Sequence, residues 1–95
     1  MRAARIDANQ PDIVDCFRRL GFSVAITSNM GNGFPDLVCG RRGYNLLIEI
    51  KDGNKPPSDR KLTPDQEKFH AAWRGTIHIV ETIGDVIRLA NGTDK

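Results

Sequence analysis

Two acidic residues and a lysine lie near the middle of the chain, at positions where their side chains could act together on a metal ion. Asp36 comes directly before one short apolar run, and Glu49 and Lys51 lie at the end of a second. The runs are residues 37–39 and 46–50, with Gly-Arg-Arg-Gly between them. Apolar β-formers on both sides of turn residues predict a β-hairpin. Side chains alternate between the faces of a strand, so Glu49 and Lys51 share one face and Ile50 points to the other.

The register of this hairpin places the two carboxylates opposite each other. A two-residue turn over residues 42–43 and a four-residue loop over residues 41–44 give the same register, in which Asp36 lies across from Glu49. Directly opposed residues have β-carbon atoms about 4.5–5.5 Å apart. A two-residue turn needs positive φ angles, which its glycine adopts readily and its arginine resists, so the four-residue loop is favoured.

Two opposed carboxylates repel each other unless water or a cation compensates their charge. Lys51 is one candidate cation, and a divalent metal ion is another. Hard oxygen ligands at this spacing suit Mg²⁺ or Mn²⁺ better than zinc. A solvated hairpin face with incidental charges accounts for the same residues equally well, because charged residues are common on exposed strand faces.

The surrounding motifs resemble a known nuclease family. Pro35-Asp36 followed by Glu49-Ile50-Lys51 resembles the PD-(D/E)xK nuclease superfamily. Residues 31–37, residues 49–53 and the segment Leu-Thr-Pro-Asp-Gln at residues 62–66 together resemble the VRR-NUC (virus-type replication-repair nuclease) domain, in its small stand-alone phage forms. The resemblance extends over about residues 7–80.

The resemblance implies an α/β fold with a PD-(D/E)xK, restriction-endonuclease-like core in the order α-β-β-β-α-β-α around a mixed central sheet. Residues 1–95 are expected to form one domain, because a chain of this length supports one modest core. The implied function is metal-dependent hydrolysis of DNA phosphodiesters. Asp36 and Glu49 would hold Mg²⁺ or Mn²⁺ with the backbone carbonyl of Ile50 as a further ligand, and Gln66 would belong to the active site. Lys51 would either activate water or stabilise the transition state, and we favour the electrostatic role.

Apolar periodicity and turn residues predict the other elements. They are a helix over residues 8–20, a strand over residues 22–27, a glycine-rich loop over residues 28–33, a long polar loop over residues 52–62, a helix from residue 63 to 75, a strand over residues 76–81 and a last helix over residues 82–92. The helix between the hairpin and the fourth strand is expected to act as a crossover connection.

Two glutamines at helix starts have both a structural and a functional interpretation. Gln10 fits a capping-box variant with Asp7, and Gln66 fits one with Thr63. By resemblance, Gln10 takes the place of a glutamate that assists metal binding, and as a poorer ligand it would hold a metal-bound water or a phosphate. Gln66 shares a helix face with Phe69 and Trp73, a face expected to pack on the sheet, and His70 is expected to be partly exposed.

Positive charge gathers around the hairpin and the loop after it. Residues 41–61 hold six basic and three acidic side chains, although the chain has a formal net charge of only +2. Phosphate binding needs such a surface, but basic loops are also simply well solvated. The candidate nucleic-acid contacts are Gln10, Arg41, Arg42, Lys55, Arg60 and Lys61.

The sequence predicts a cytoplasmic protein, in the host cytoplasm if it is phage-encoded. No apolar run is long enough to span a membrane, and residues 1–5 are not followed by the apolar stretch of a signal peptide. Cys16 and Cys39 lack metal-ligand spacing and are expected to be reduced core residues. No small-molecule substrate is implied.

The expected partner is branched DNA, such as a four-way (Holliday) junction, bound by a homodimer. One Asp-Glu-Lys site per chain cuts one strand, so symmetric cutting of two strands needs two copies. A monomeric nickase or a module of a larger complex remains open. Two other classes also remain: an inert DNA-binding or assembly module on a nuclease fold, and a protein-interaction domain.

Overall fold

The chain forms a mixed four-stranded sheet with three α-helices over residues 6–93, the part that this computed structural model describes. The elements are α1 (Gln10–Arg19), β1 (Ser23–Ile26), β2 (Leu37–Arg41), β3 (Tyr44–Ile50), a 3-10 turn (Pro57–Arg60), α2 (Pro64–Ala72), β4 (Ile77–Val80) and α3 (Ile83–Gly92). The strands lie in the order β1-β2-β3-β4, antiparallel except for the parallel pair β3 and β4. The predicted α/β element order and the α2 crossover are therefore confirmed. The N-terminal segment, for which the sequence predicts no signal peptide, lies outside the described residues.

The hairpin has the predicted register but a tighter turn than predicted. Arg41 pairs with Tyr44, which leaves only Arg42 and Gly43 as the turn. Both residues have positive φ angles, 54° and 81°. The prediction of a four-residue loop is therefore wrong: a turn with two positive φ angles matches the right-handed twist of the strands, and this outweighs the cost of about 1–2 kcal/mol for a left-handed arginine.

The hydrophobic core lies on one face of the sheet, beneath α1 and α3. Ile48 and Ile50 are fully buried on this face, as the alternation along β3 predicts. The other core residues are Ile13, Val14, Phe17, Phe22, Leu37, Cys39, Leu46, Val80, Val86 and Ala90. Glu49 therefore points to the opposite face, where α2 lies.

The start of α1 differs from the predicted capping box. The N-cap residue is Asn9, and its side chain makes no cap hydrogen bond. Instead its amide nitrogen donates to the carbonyl oxygens of Lys51 at 3.0 Å and Glu81 at 3.1 Å. Gln10 is turned inward and 5% exposed. The cap prediction fails because Asn9 and Gln10 find partners far away in sequence, and Asn9 thereby ties α1 to the ends of β3 and β4.

The helix α2 contributes no residue to the core. Phe69 meets Phe34 edge-on at 5.3 Å between ring centroids and stacks on Trp73, also at 5.3 Å. Trp73 is 44% exposed, so the predicted packing of this whole face on the sheet is wrong for Trp73. The helix is held at its start by the predicted capping box of Thr63 and Gln66, and by polar contacts described below.

The two cysteines are free, and Cys39 lies in the core as predicted. Cys16 is half-buried and packs against the core. Burial raises the pKa of the Cys39 thiol to about 12, so this side chain behaves as a small apolar residue. No helix within residues 6–93 is long and apolar enough to cross a membrane.

Candidate active site

The end of the hairpin away from its turn carries the acidic pair. Leu37 pairs with Ile48, so the register continues to Asp36 across from Glu49. Asp36 Oδ2 accepts a hydrogen bond of 2.7 Å from the backbone nitrogen of Ile50. In a strand the N–H and C=O groups of one residue point to the same side, so the carbonyl oxygen of Ile50 also faces Asp36. The predicted register is confirmed, and it brings two carboxylates and one carbonyl together.

Glu49 is only 1% exposed, and its environment disfavours a negative charge. Burial is the main cause that raises its pKa, and hydrogen bonding to Asp36 and the charge of Asp36 add to it; Lys51 opposes the shift. Together they bring the pKa of Glu49 to about 9. A cation bound beside Glu49 could take over the neutralising role of its proton.

Gln66 connects the lysine to the acidic pair. Its Oε1 accepts hydrogen bonds from Lys51 Nζ at 2.7 Å and from the backbone nitrogen of Thr63 at 2.9 Å. Its Nε2 donates to Glu49 Oε2 at 3.0 Å. Gln66 therefore closes the helix cap and contacts Lys51 and Glu49 at the same time, so its structural and functional interpretations are compatible. Lys51 is 7% exposed, so its ammonium is held in one place.

Gln10 supports the loop that carries Asp36 and makes no described contact with the carboxylates. Its Nε2 donates to Ser28 Oγ at 2.9 Å, and that hydroxyl donates back to Gln10 Oε1 at 3.1 Å. The same hydroxyl lies 3.4 Å from the backbone oxygen of Asp36. A role of Gln10 toward a metal-bound water or a phosphate stays a prediction.

His70 belongs to the site although the sequence analysis did not include it there. Its Nε2 lies 3.7 Å from Glu49 Oε1, and its side chain is 15% exposed. Burial, and then the charge of Lys51, lower the pKa of His70, which keeps the imidazole neutral at neutral pH. His70 follows Gln66 by one helical turn, so the i, i+4 spacing was the signal that could have identified it.

Asp7 is a second residue that the sequence analysis did not assign to the site. Burial raises its pKa, Lys51 and Lys55 lower it, and Asp36 raises it further. Asp7 therefore lies within electrostatic range of both Lys51 and Asp36. No sequence signal points to this position, because Asp7 comes close only through the tertiary contact between the start of α1 and the residues that follow β3 and β4.

Arg41 makes structural contacts within the protein, and its predicted phosphate contact stays a prediction. Its guanidinium donates to the carbonyl oxygens of Leu20 at 2.8 Å and Ala90 at 2.6 Å, and to Thr93 Oγ1 at 2.6 Å. The guanidinium carbon Cζ also lies over the ring of Phe22, 4.2 Å from the ring centroid. The side chain thus joins the carboxyl ends of α1 and α3, and both it and Arg42 lie at the opposite end of β2 from Asp36.

The loop after β3 is tied down by two ion pairs. Arg60 Nη1 lies 3.2 Å from Glu81 Oε2, and Lys55 Nζ lies 3.9 Å from Asp7 Oδ1. The Arg60 side chain is only 25% exposed. Lys61 is exposed and follows the 3-10 turn directly. Among the basic residues predicted to contact DNA from this loop, Lys61 is therefore the one whose side chain is best placed to reach the phosphates of a nucleic acid.

Replacement of Gly33 tests how closely α2 must approach the loop before Asp36. A β-carbon at Gly33 would lie 2.8 Å from the Gln66 backbone nitrogen and closer still to the Asp65 carbonyl oxygen. Gly31 has a similar φ, +77° against +79°, with nothing within 4 Å of its added carbon. Gly31→Ala pays only the cost of a left-handed alanine, about 1–2 kcal/mol. Gly33→Ala should lower the free energy of urea unfolding by at least about 1 kcal/mol more, because overpacking adds to it; equal losses would contradict this close approach.

The groups that could hold a metal ion are mostly oxygen atoms. No three His, Cys, Asp or Glu side chains within residues 6–93 are grouped so that they could form a metal site. An ion between Asp36 and Glu49 therefore needs the carbonyl oxygen of Ile50 or water molecules as further ligands, a set that suits Mg²⁺ and Mn²⁺. Glu49 Oε1 is buried and has no hydrogen-bond partner within the described part of the chain.

Comparison with known proteins does not identify the chain: no protein-family model, no curated protein and no solved structure matches it.

Proposed function

We propose that this protein is a metal-dependent deoxyribonuclease of the PD-(D/E)xK type, similar to the VRR-NUC domain, and that it hydrolyses phosphodiester bonds in branched DNA. The observation that carries the proposal is the group of half-buried Asp36 with buried Glu49 and Lys51, of which Glu49 and Lys51 are joined through Gln66. Solvated, incidental charges account for exposed residues, but Glu49 and Lys51 are 1% and 7% exposed. Charges are costly to bury, and a catalytic or binding role accounts for them better than a solvated hairpin face does.

In this proposal Asp36, Glu49 and the carbonyl oxygen of Ile50 hold Mg²⁺ or Mn²⁺. When bound, the ion supplies a Lewis acid for the scissile phosphate and lowers the pKa of a bound water molecule. Asp36 is oriented for this by the backbone nitrogen of Ile50, and Glu49 by the side-chain amide of Gln66. Both carboxylates are therefore preorganised, which avoids reorganisation during the reaction.

Lys51 supplies a fixed positive charge beside the acidic pair. Its hydrogen bond to Gln66 Oε1 directs the ammonium along the face of β3 that carries Glu49. Phosphodiester hydrolysis builds negative charge on the phosphate oxygens, and a preorganised cation stabilises that charge. This favours the electrostatic role of Lys51 over a role as the base that activates water.

A cleavage assay on purified protein tests the proposal. Labelled linear duplex, flap and four-way-junction DNA are incubated with Mn²⁺, with Mg²⁺ and with a chelator. We expect cleavage that needs the metal and is fastest on branched DNA, because no motif here reads base edges and selectivity must come from DNA shape. Binding of junction DNA without cleavage in either metal would instead favour the inert DNA-binding module.

The free thiols Cys16 and Cys39 fit the reducing cytoplasm in which we place the protein.

We expect the active form to be a homodimer that cuts a four-way junction symmetrically. Two active sites are needed to cut two strands, and two-fold dimers are the commonest soluble oligomers. Both edge strands expose an apolar side chain, Ile26 on β1 at 56% and Ile79 on β4 at 48%, which offers surface for a second copy. Light scattering at the assay concentration should give twice the mass of 10.6 kDa. A monomer that nicks linear duplex as readily as junctions would contradict this prediction.

A further inference from the structure

We infer that His70 is a positioning residue, which holds the carboxylate of Glu49 in the orientation that binds the metal ion. This inference rests on the proposed function and adds a residue to it. His70 Nε2 lies 3.7 Å from Glu49 Oε1. Both atoms are buried, and neither has a hydrogen-bond partner among residues 6–93. An unsatisfied buried polar atom destabilises a protein. A hydrogen bond between these two atoms would therefore stabilise the site.

The helix α2 presents two donors to the two oxygens of this carboxylate. Gln66 donates from Nε2 to Oε2 at 3.0 Å, and His70, one turn later, faces Oε1. The orientation of the Gln66 amide is determined, because its oxygen already accepts from Lys51 Nζ and from the backbone nitrogen of Thr63. An ionised carboxylate has about four acceptor positions, so two donors leave positions open for a cation.

His70 acts through Glu49 and does not bind the ion itself. Its Nε2 faces Glu49 Oε1 at 3.7 Å, so in this inference it acts on the carboxylate and needs no bond to the ion. The imidazole with its proton on Nε2 instead donates to Glu49 Oε1 when that oxygen is charged. Groups that orient a metal ligand in this way are worth about 10–100-fold in metal affinity.

The test measures Mn²⁺ affinity by titration calorimetry on metal-free protein without DNA. His70→Leu removes the donor at similar volume, His70→Ala removes it without added bulk, and His70→Gln keeps an N–H donor at similar reach. The chain has one other histidine, and His78→Leu on β4 is the matched control. His70→Leu and His70→Ala should weaken Mn²⁺ binding by about tenfold or more, and His70→Gln should restore most of it. The Mn²⁺ concentration that gives half-maximal cleavage should rise by the same factor.

The outcomes separate this inference from the proposed function. If Glu49→Gln loses Mn²⁺ binding while His70→Ala binds as tightly as wild type, the role of His70 is overturned and the proposed metal site stands. If His70→Gln folds like wild type but binds Mn²⁺ as weakly as His70→Ala, the donor role is likewise overturned. If wild type and Glu49→Gln bind Mn²⁺ equally, the proposed site is wrong and the inference falls with it. Unfolding midpoints of the metal-free variants show whether each one is folded.

Discussion

Asp36→Asn and Glu49→Gln should each lower the rate of DNA cleavage by at least about a hundredfold and weaken Mn²⁺ binding. Lys51→Ala should also lower the cleavage rate, but it should keep most of the Mn²⁺ affinity. Both acidic variants replace a charged oxygen ligand with a neutral amide, which hard cations bind poorly. Lys51 contacts Gln66 and is not a ligand, so its loss removes a preorganised charge, an effect of about 10²–10³ in rate.

The measurements are single-turnover cleavage of junction DNA and calorimetric Mn²⁺ titration of the same variants. Asp59→Asn is the control for loss of one acidic side chain, since Asp59 is exposed in the 3-10 turn. Junction binding should persist in all four variants. Wild-type cleavage by Lys51→Ala would exclude its transition-state role, and wild-type cleavage by either acidic variant would remove that residue from the site.

The metal-free protein should lose stability as the pH rises from about 7.5 to about 9. Glu49 has an ordinary pKa of 4.5 in the unfolded chain and a pKa of about 9 in the folded protein. Because the folded state keeps a proton that the unfolded state has released, the stabilisation from this group is complete below about pH 4.5 and is lost as the pH approaches 9. One pKa unit corresponds to about 1.4 kcal/mol, so the loss over this interval should be about 1–2 kcal/mol.

Urea unfolding in the presence of a chelator measures this loss, with Glu49→Gln as the matched control. Burial lowers the pKa values of His70 and His78, which adds stability as the pH rises through the histidine range and opposes the effect of Glu49. Measurements that begin at about pH 7.5 avoid most of this opposing contribution. Glu49→Gln cannot titrate at this position and should lose less stability over this interval; the loss that remains comes from the thiols of Cys16 and Cys39, whose pKa values burial raises. Parallel pH profiles for wild type and Glu49→Gln would show that Glu49 is ionised in the folded protein.

The sequence by itself determined the register of the hairpin and therefore the pairing of Asp36 with Glu49. Strand side chains alternate with a period of two, and both candidate turns leave the same residues opposed, so the pairing survived an error in the turn type. The cap of α2 was also determined locally, because Thr63 and Gln66 lie three residues apart. The element order and the parallel crossover followed from the same local signals.

Only the tertiary structure decided which of these groups are buried and what they contact. The helix α2 returns over β3 and brings Gln66 and His70 to the carboxylate of Glu49, across 17 and 21 positions of the chain. Likewise, Arg41 donates hydrogen bonds to the ends of two helices, and Gln10 bonds to Ser28. Buried polar groups bond to the nearest available partner in space. Local spacing cannot encode such partners, since they come from elements that meet only after the sheet has formed.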